Sequence, residues 1–496
     1  MRRLLLMWGV CMNSKRALLI LGISAIFALT SCSGLKVPCT VNCGGGGGGS
    51  FPVSFTLSAV PSSVPGSLSL LSFNANVTTI SLTSETTGKL TNLSPTSLIV
   101  DLNKLLSDSA YLGTYDVPSD SYNKIQLYFT PEVVYCPSTS GVAGCTASTI
   151  QTVTGTPTSL TFIYAPALVP TSAGIGVRFR VSMANALVLN TAGTAITGIN
   201  FALANVGASE QLPLAANLAA GQLDYVEDFT GLVTAVGASS ITIQSATAGT
   251  ITANVVSGTT SFSTQTCPSG TISCAKVNEV ADVDAILNAN GTFTLLLFDL
   301  LDPSPDDWIE GVIGYAPTNN SQFHLVVTNF GSATSGSVFG SNLHLGDQVT
   351  VNLNLPNGST FAIDQKNLTL AANSSNFTGG SDTTVLYPGQ VVTVHPTAFT
   401  AASGNTPAAV SVDSLVLRFS RLSGLPGSPG PNFQFLPSDP YLGISVASFT
   451  YETSGVTNYD LLTAGSTVSN AEAAGIRALY VGPPSNSSFA VAKVRQ

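Results

Sequence analysis

Charge is scarce in this chain: over 496 residues, Asp, Glu, Lys and Arg make up only 9%, with 17 basic against 26 acidic side chains and a formal net charge of −9. Disordered chains are rich in charge and poor in apolar residues, so a hydrophobic content of 44% argues for folded domains. The acidic balance argues against nucleic acid as a partner, because phosphate recognition needs a basic face. Histidine is almost missing: His324 and His344 are each followed by Leu, and His395 by Pro396. No His-Glu-x-x-His pattern exists, so a hydrolytic zinc site is not expected, and three solitary histidines on alternating strands are expected to be surface or satisfied core residues. The Gly-x-Ser-x-Gly elbow of serine hydrolases is absent, and Gly88-Lys89 is followed by Leu90 where a phosphate-binding loop needs Ser or Thr. No catalytic residue, metal ligand or cofactor is assigned. Apart from one segment near the N-terminus, no apolar run approaches the ~20 residues needed to span a bilayer as a helix.

That one segment reads as a secretion signal. Lys15 and Arg16 precede the apolar run Ala17–Ala28, followed by Leu29-Thr30-Ser31-Cys32. The tetrapeptide resembles the lipobox of bacterial lipoproteins, which implies that Cys32 becomes the lipidated first residue. Several acyl chains, at about 0.8 kcal/mol per buried CH2, make a stable anchor. Residues 1–31 are thus expected to be a lipoprotein signal peptide. Arg2, Arg3 and the stretch Leu4–Val10 fit it poorly, and a start at Met12 would leave an ordinary signal, so residues 1–11 are suspected of being a mistaken start. Ser33 stands where the resemblance would place an inner-membrane retention Asp, so an outer-membrane location, on the periplasmic or the cell-surface face, is expected. Loss of the signal removes Arg2, Arg3, Lys15 and Arg16 but no acid, leaving a surface that repels phosphate and anionic lipid.

Residues 32–51 comprise the anchor cysteine and a tether whose segment 44–50 holds six glycines and Ser50. Gly44, Gly46 and Gly49 match a dinucleotide fingerprint, but without the preceding strand and following helix that would give it meaning. Cys11 falls in the signal, leaving the close pairs Cys39/Cys43, Cys136/Cys145 and Cys267/Cys274. In an oxidising compartment, Cys136 with Cys145 and Cys267 with Cys274 are expected to form disulfides that pin Gly, Ser and Pro-bearing loops.

Alternating runs such as Val53-Ser54-Phe55-Thr56-Leu57 and Val177-Arg178-Phe179-Arg180-Val181 have the period of half-buried strands. Helical spacing appears only near Leu102–Leu106 and Ala471–Ala474. The fold class is all-β: an N-terminal β-sandwich at 52–222, then three repeated β units at 223–306, 307–419 and 420–496. Asp101-Leu102 with Leu105 and Leu106, followed by Val117-Pro118-Ser119-Asp120-Ser121-Tyr122-Asn123-Lys124-Ile125-Gln126-Leu127, resembles an uncharacterised domain family of bacterial exported lipoproteins, with Asp120 where that family has Gly. The later units open on Phe229-Thr230-Gly231-Leu232-Val233, Ile309-Glu310-Gly311-Val312-Ile313 and Leu422-Ser423-Gly424-Leu425. Late strands follow at Val280–Val283, Val391–Val394 and Ile476–Val481, and closing ones near Phe293, Val412 and Phe489. Gly346-Asp347-Gln348-Val349-Thr350-Val351 and Gly389-Gln390-Val391-Val392-Thr393-Val394 repeat one strand inside the middle unit, which implies an extra hairpin there. These units resemble a second bacterial family of unknown function, and that resemblance implies small closed barrels akin to oligonucleotide- or oligosaccharide-binding folds.

The densest acidic stretch, Asp299, Asp302, Asp306, Asp307 and Glu310, is interrupted by Pro303 and Pro305 and lacks the alternating acids and central Gly of a calcium loop. It is expected to be a solvated linker. The functional expectation is a non-enzymatic, lipid-anchored envelope protein with a binding or structural role. A glycan, another surface polymer or an envelope protein is the expected partner. The alternative is a secreted hydrolase acting on envelope or extracellular glycans through paired carboxylates.

Overall fold

A computed structural model describes residues 49–496, except 62–67, 96–97, 140–141, 144, 147, 184–185, 202–206, 213–217, 303–306, 316, 333–336, 355–358, 367, 369–373, 427–433, 438–448, 451–457, 461–468, 470 and 483–488. Cys32, Cys39 and Cys43 therefore lie outside the described residues. The chain is all-β, and none of its described helices is long and apolar enough to cross a membrane.

The N-terminal part is a two-sheet sandwich. Its strands are β1 (Ser50–Ala59), β2 (Ser69–Ser84), β3 (Leu90–Leu93), β4 (Leu98–Asp101), β5 (Ala110–Pro118), β6 (Tyr122–Cys136), β7 (Ser138–Thr139), β8 (Val142–Ala143), β9 (Gln151–Thr154), β10 (Thr158–Leu168), β11 (Ile175–Val181), β12 (Leu187–Leu189), β13 (Ile196–Ile199) and β14 (Gly207–Leu212). One sheet runs β14-β11-β1-β5, with β1 and β11 parallel. The other runs β10-β6-β2-β3, with β4 on β2 and β9 on β6. Alternation sets the inward face: Val53, Phe55 and Leu57 of β1 and Val177, Phe179 and Val181 of β11 are buried. Phe162 from the opposite sheet meets Phe179 with ring centroids 4.8 Å apart, so the core closes on aromatic contacts between the layers.

The motif residues have local reasons. In the leucine-rich turn, Asp101 Oδ1 accepts from the Phe73 and Asn103 amides at 2.9 and 3.0 Å, and Leu102, Leu105 and Leu106 are buried. Before β6, the Tyr122 hydroxyl donates to the Pro118 carbonyl at 3.0 Å and pins the corner. Asp120 accepts from the Ser121 amide at 2.7 Å, and its backbone is not left-handed, so the turn does not require Gly there.

Next come β15 (Gln222–Val236), β16 (Ser240–Ser245), β17 (Gly249–Asn254), β18 (Ser261–Phe262), β19 (Val280–Asn288) and β20 (Phe293–Asp302). β15 pairs with β16, β16 with β17, β17 in parallel with β20, β20 with β19, and β19 with β15, which closes a five-stranded barrel. The order repeats in β21 (Trp308–Ile313), β22 (Gln322–Gly331), β23 (Gln348–Leu353), β24 (Thr360–Ile363), β25 (Val391–Thr400) and β26 (Ala408–Pro426). There β21-β22-β23-β26-β25 forms the circuit, again with one parallel pair, β23 with β26. Both circuits have the strand order of the oligonucleotide- and oligosaccharide-binding barrel. The glycine of each opening motif is a close-approach position: a Cβ on Gly231 would lie 2.4 Å from the Gln244 carbonyl oxygen, and one on Gly311 2.5 Å from that of Val326.

The C-terminal strands are β27 (Gln434–Pro437), β28 (Phe449–Thr450), β29 (Asn458–Asp460), β30 (Ala474–Tyr480) and β31 (Phe489–Arg495). β26 continues through residues 419 and 420 to pair with β27 and β30, β30 pairs with β31, and β29 runs parallel to β31. The unit boundary read at 419/420 thus falls inside one strand.

Three details differ from the sequence reading. The added length of the middle unit is β24, parallel to β26, and the short helix Ser374–Thr378, not a hairpin: the two Gly-x-x-Val-x-Val strands are β23 and β25 of one barrel. Ala474 opens β30 where helical spacing was read, because burial on both faces of this strand hides the period of two. The acidic stretch is not a solvated linker at its described ends: Asp299 in β20, Asp307 just before β21 and Glu310 in β21 are buried.

Two disulfides are present among the described residues. Cys136–Cys145 spans the β7–β8 hairpin with Cα atoms 5.3 Å apart, and Cys267–Cys274 closes the loop before β19 with Cα atoms 5.6 Å apart.

Candidate functional site

The scarce charges are concentrated where the sandwich, the two closed barrels and the C-terminal strands meet. Lys366, Arg418, Arg477, Lys493, Arg178 and Arg495 are all buried, an unusual fate for basic side chains unless they are paired. Each ties elements far apart in sequence. Arg421 Nη2 reaches Asp108 Oδ2 of the sandwich at 2.6 Å and also pairs with Asp228 of β15. Arg418 pairs with Asp282 of β19, with Asp364 Oδ2 at 2.6 Å and with Glu310 Oε2 at 3.6 Å. Lys366 Nζ pairs with Asp228, with Asp284 Oδ1 at 2.9 Å and with Asp282 Oδ2 at 3.1 Å. Arg477 pairs with Asp228 and lies 3.4 Å from Asp284, while Lys104 pairs with Glu310 and Lys493 with Glu227. Separately, Arg178 Nε and Thr56 Oγ1 both donate to Asp224 Oδ2, at 3.1 and 2.7 Å, and so join the sandwich to the first barrel.

Burial and pairing compete at each carboxyl, and the winner differs. For Asp228, burial would raise the pKa, but Arg477, Lys366 and Arg421 outweigh it and hold the group well below the usual carboxylate range. Asp284 and Glu310 are also held low against burial, by Arg477 with Lys366 and by Lys104 with Arg418. Burial wins at Asp282, which is pushed up to about 7 despite Arg418 and Lys366.

Asp228, Asp282 and Asp364 offer oxygens within 4.8 Å of one another, a spacing that could suit a metal ion. The Lys366 ammonium and the Arg418 guanidinium already lie among these oxygens, so the chain supplies its own cations there. A dication would have to displace them. Asp299 and Asp364 are both buried and lie beside each other.

A second cluster lies on the outer side of the barrel of β21–β26, exposed at its Gln322 end and covered at its other end, where Val326 and Tyr315 join Leu71, Val134 and Ile150 of the sandwich in one buried cluster. The register of β22 against β23 puts Gln322 opposite Asn352, His324 opposite Thr350 and Val326 opposite Gln348, with Phe323, Leu325, Val349 and Val351 turned into the barrel. Gln322 Nε2 donates to Asn352 Oδ1 at 2.7 Å, and His324 Nδ1 lies 3.2 Å from Thr350 Oγ1. Tyr315, on the loop between β21 and β22, stacks on His324 at 4.5 Å between ring centroids. Neither β22 nor β23 contains Asp, Glu, Lys or Arg. At the head of this row the Tyr315 hydroxyl and Gln348 Oε1 are buried without a hydrogen-bond partner, and Tyr315 itself is only 6% exposed. Burial pushes the Tyr315 phenol up and the His324 imidazole down, so both are neutral near pH 7.

The other histidines are surface or satisfied side chains: His395 Nδ1 lies 2.7 Å from Asp413, and His344 is exposed with Asp347 3.4 Å away. Sequence reasoning missed both clusters, since the ionic core joins residues more than 300 positions apart and the polar row alternates like any exposed strand. Comparison of the chain with protein-family models, with curated proteins and with solved structures gives no match to any of them.

Proposed function

We propose that this is a lipid-anchored component of the bacterial cell envelope, held on the outer membrane through Cys32, that binds an uncharged glycan or similar surface polymer. The observation that carries the binding reading is the row Gln322/Asn352, His324/Thr350 and Gln348, headed by Tyr315. Amides and hydroxyls at strand spacing match the hydroxyls of successive sugar units, and the half-buried His324 ring, backed by the buried Tyr315, stands beside them. The same strands, second and third of the barrel, form the ligand face of oligosaccharide-binding barrels, which supports the reading by analogy of fold. The row lacks formal charge and the chain is acidic, both of which disfavour a polyanion. The leader and the lipobox-like Leu29-Thr30-Ser31-Cys32 support the address.

In this reading the C-terminal strands are a third barrel, and the ionic core keeps the units in one orientation so that the row is presented at a fixed angle from the tether. The test is binding of the purified chain to neutral and to acidic envelope polysaccharides, with Asn352→Ala and His324→Ala beside the unaltered protein. Retention of neutral polymer, weakened about tenfold or more in either variant at about 1.4 kcal/mol per decade, is expected. Equal binding by all three proteins would refute the site.

A further inference from the structure

At the contact between the two closed barrels, the supply of cations runs short. Arg418 of β26 is shared by Asp282, Asp364 and Glu310, and Lys366, beyond β24, is shared by Asp228, Asp282 and Asp284. Arg477 gives Asp228 and Asp284 a second cation, Arg421 gives Asp228 a third, and Lys104 gives one to Glu310. Asp299 of β20 has no described cation: Thr266 Oγ1 donates to it, and the carboxyl of Asp364 lies beside it. No Lys or Arg lies in the undescribed stretches after residue 49, so none there can make up the deficit. Asp282 Oδ1 and Asp364 Oδ1 are buried with no donor from the chain. A buried carboxyl with an oxygen that meets no donor and faces another carboxyl is favoured in its protonated form, as Asp282 and Asp364 are placed to be.

We propose that the barrel–barrel contact is a proton-held latch, in which one proton on Asp364, beside Asp299, and another on Asp282 keep the first barrel docked on the second, so that docking loosens as the pH rises through neutrality. Burial, opposed by Arg418 and reinforced by Asp299, holds Asp364 well above the usual carboxylate range, and Asp282 stands at about 7. The sign follows from linkage. A carboxyl whose pKa is raised by folding binds more protons folded than unfolded between its ordinary value and its raised one. Its contribution is complete at low pH and declines as pH climbs to the raised value. Asp228, Asp284 and Glu310, held low, act oppositely and only at acid pH. Their windows end near the ordinary carboxylate range, below most of that of Asp282.

Infrared spectroscopy of the folded full chain tests this, because a protonated carboxyl has a carbonyl stretch that a carboxylate lacks. The band should be present at about pH 6 and lose intensity by about pH 8.5, and the urea midpoint should fall over the same interval. In Asp282→Asn and Asp299→Asn the band should weaken at about pH 6 and the fall in midpoint should flatten, since an amide cannot ionise. Absence of the band from the unaltered protein at about pH 6, or a midpoint that does not fall with pH, would overturn the proposal even if both variants failed to fold.

Discussion

Asp228 and Lys366, partners in the ionic core, both hold left-handed backbones, with φ of 50° and 44°. At Asp228 the cause is a register shift in the β15–β19 pairing between Val226 and Phe229. Such a bulge turns a side chain that would follow the strand's alternation toward a new target. Each left-handed non-glycine residue costs about 1–3 kcal/mol, more readily tolerated by Asp than by Lys, and persists only where its surroundings determine it. Here the surroundings are the carboxylates around Lys366 Nζ and the cations around Asp228.

Lys366→Ala should therefore be among the most damaging single changes, because it keeps the left-handed backbone while leaving buried carboxylates short of a cation. A loss of about 3–5 kcal/mol is expected from urea unfolding. Asp228→Asn combined with Lys366→Ala should cost less than the sum of the two by at least about 0.5 kcal/mol. Strict additivity would mean that the two side chains are not energetically coupled.

The opening-strand glycines make a prediction about the barrels. Gly311→Ala would put a Cβ 2.5 Å from a backbone carbonyl that has no side-chain freedom to retreat. A loss of about 1–3 kcal/mol is expected, and Gly231→Ala should behave alike. In contrast, Gly249→Ala, where nothing lies within 4 Å, should cost less than either despite its φ of 78°.

Removing Cys136–Cys145 or Cys267–Cys274 by double serine substitution should cost about 2.5 kcal/mol each, the loop-closure value for such short separations. Peptide mapping without reduction should recover both pairs. Free thiols in the exported protein would argue against an oxidising address.

The all-β class, the sandwich and the positions of the late strands were legible because alternation at Val53–Leu57 or Ile241–Ile243 is a backbone property that survives whatever the strand packs against. The glycines at 231 and 311 were visible as motif letters, and only the approach of a carbonyl explains them. The burial of Asp299 and Glu310 was not legible. A carboxylate beside Pro303 and Pro305 reads as solvated unless its cation is known, and the cations that serve Glu310, Arg418 and Lys104, come from distant parts of the chain. The row on β22 and β23 was hidden for a different reason: Gln322, His324, Thr350 and Asn352 have the alternation of any half-exposed strand, and only register brings them into pairs.

The anchor is tested by fractionation. Cys32→Ser should shift the protein from the membrane to the soluble fraction, and mass spectrometry of the unaltered protein should find acyl groups on Cys32. A signal still attached, or an unmodified cysteine, would remove the outer-membrane location with it.

The most direct test of the proposed function is hydrogen–deuterium exchange of the full chain with and without a neutral envelope polysaccharide. Protection is expected over 322–326 and 348–352 and at the Tyr315 loop, with the outer face of β6 around Gln126 unchanged. Protection confined to the sandwich, or none at saturating polymer, would contradict ligand binding on the β22–β23 face.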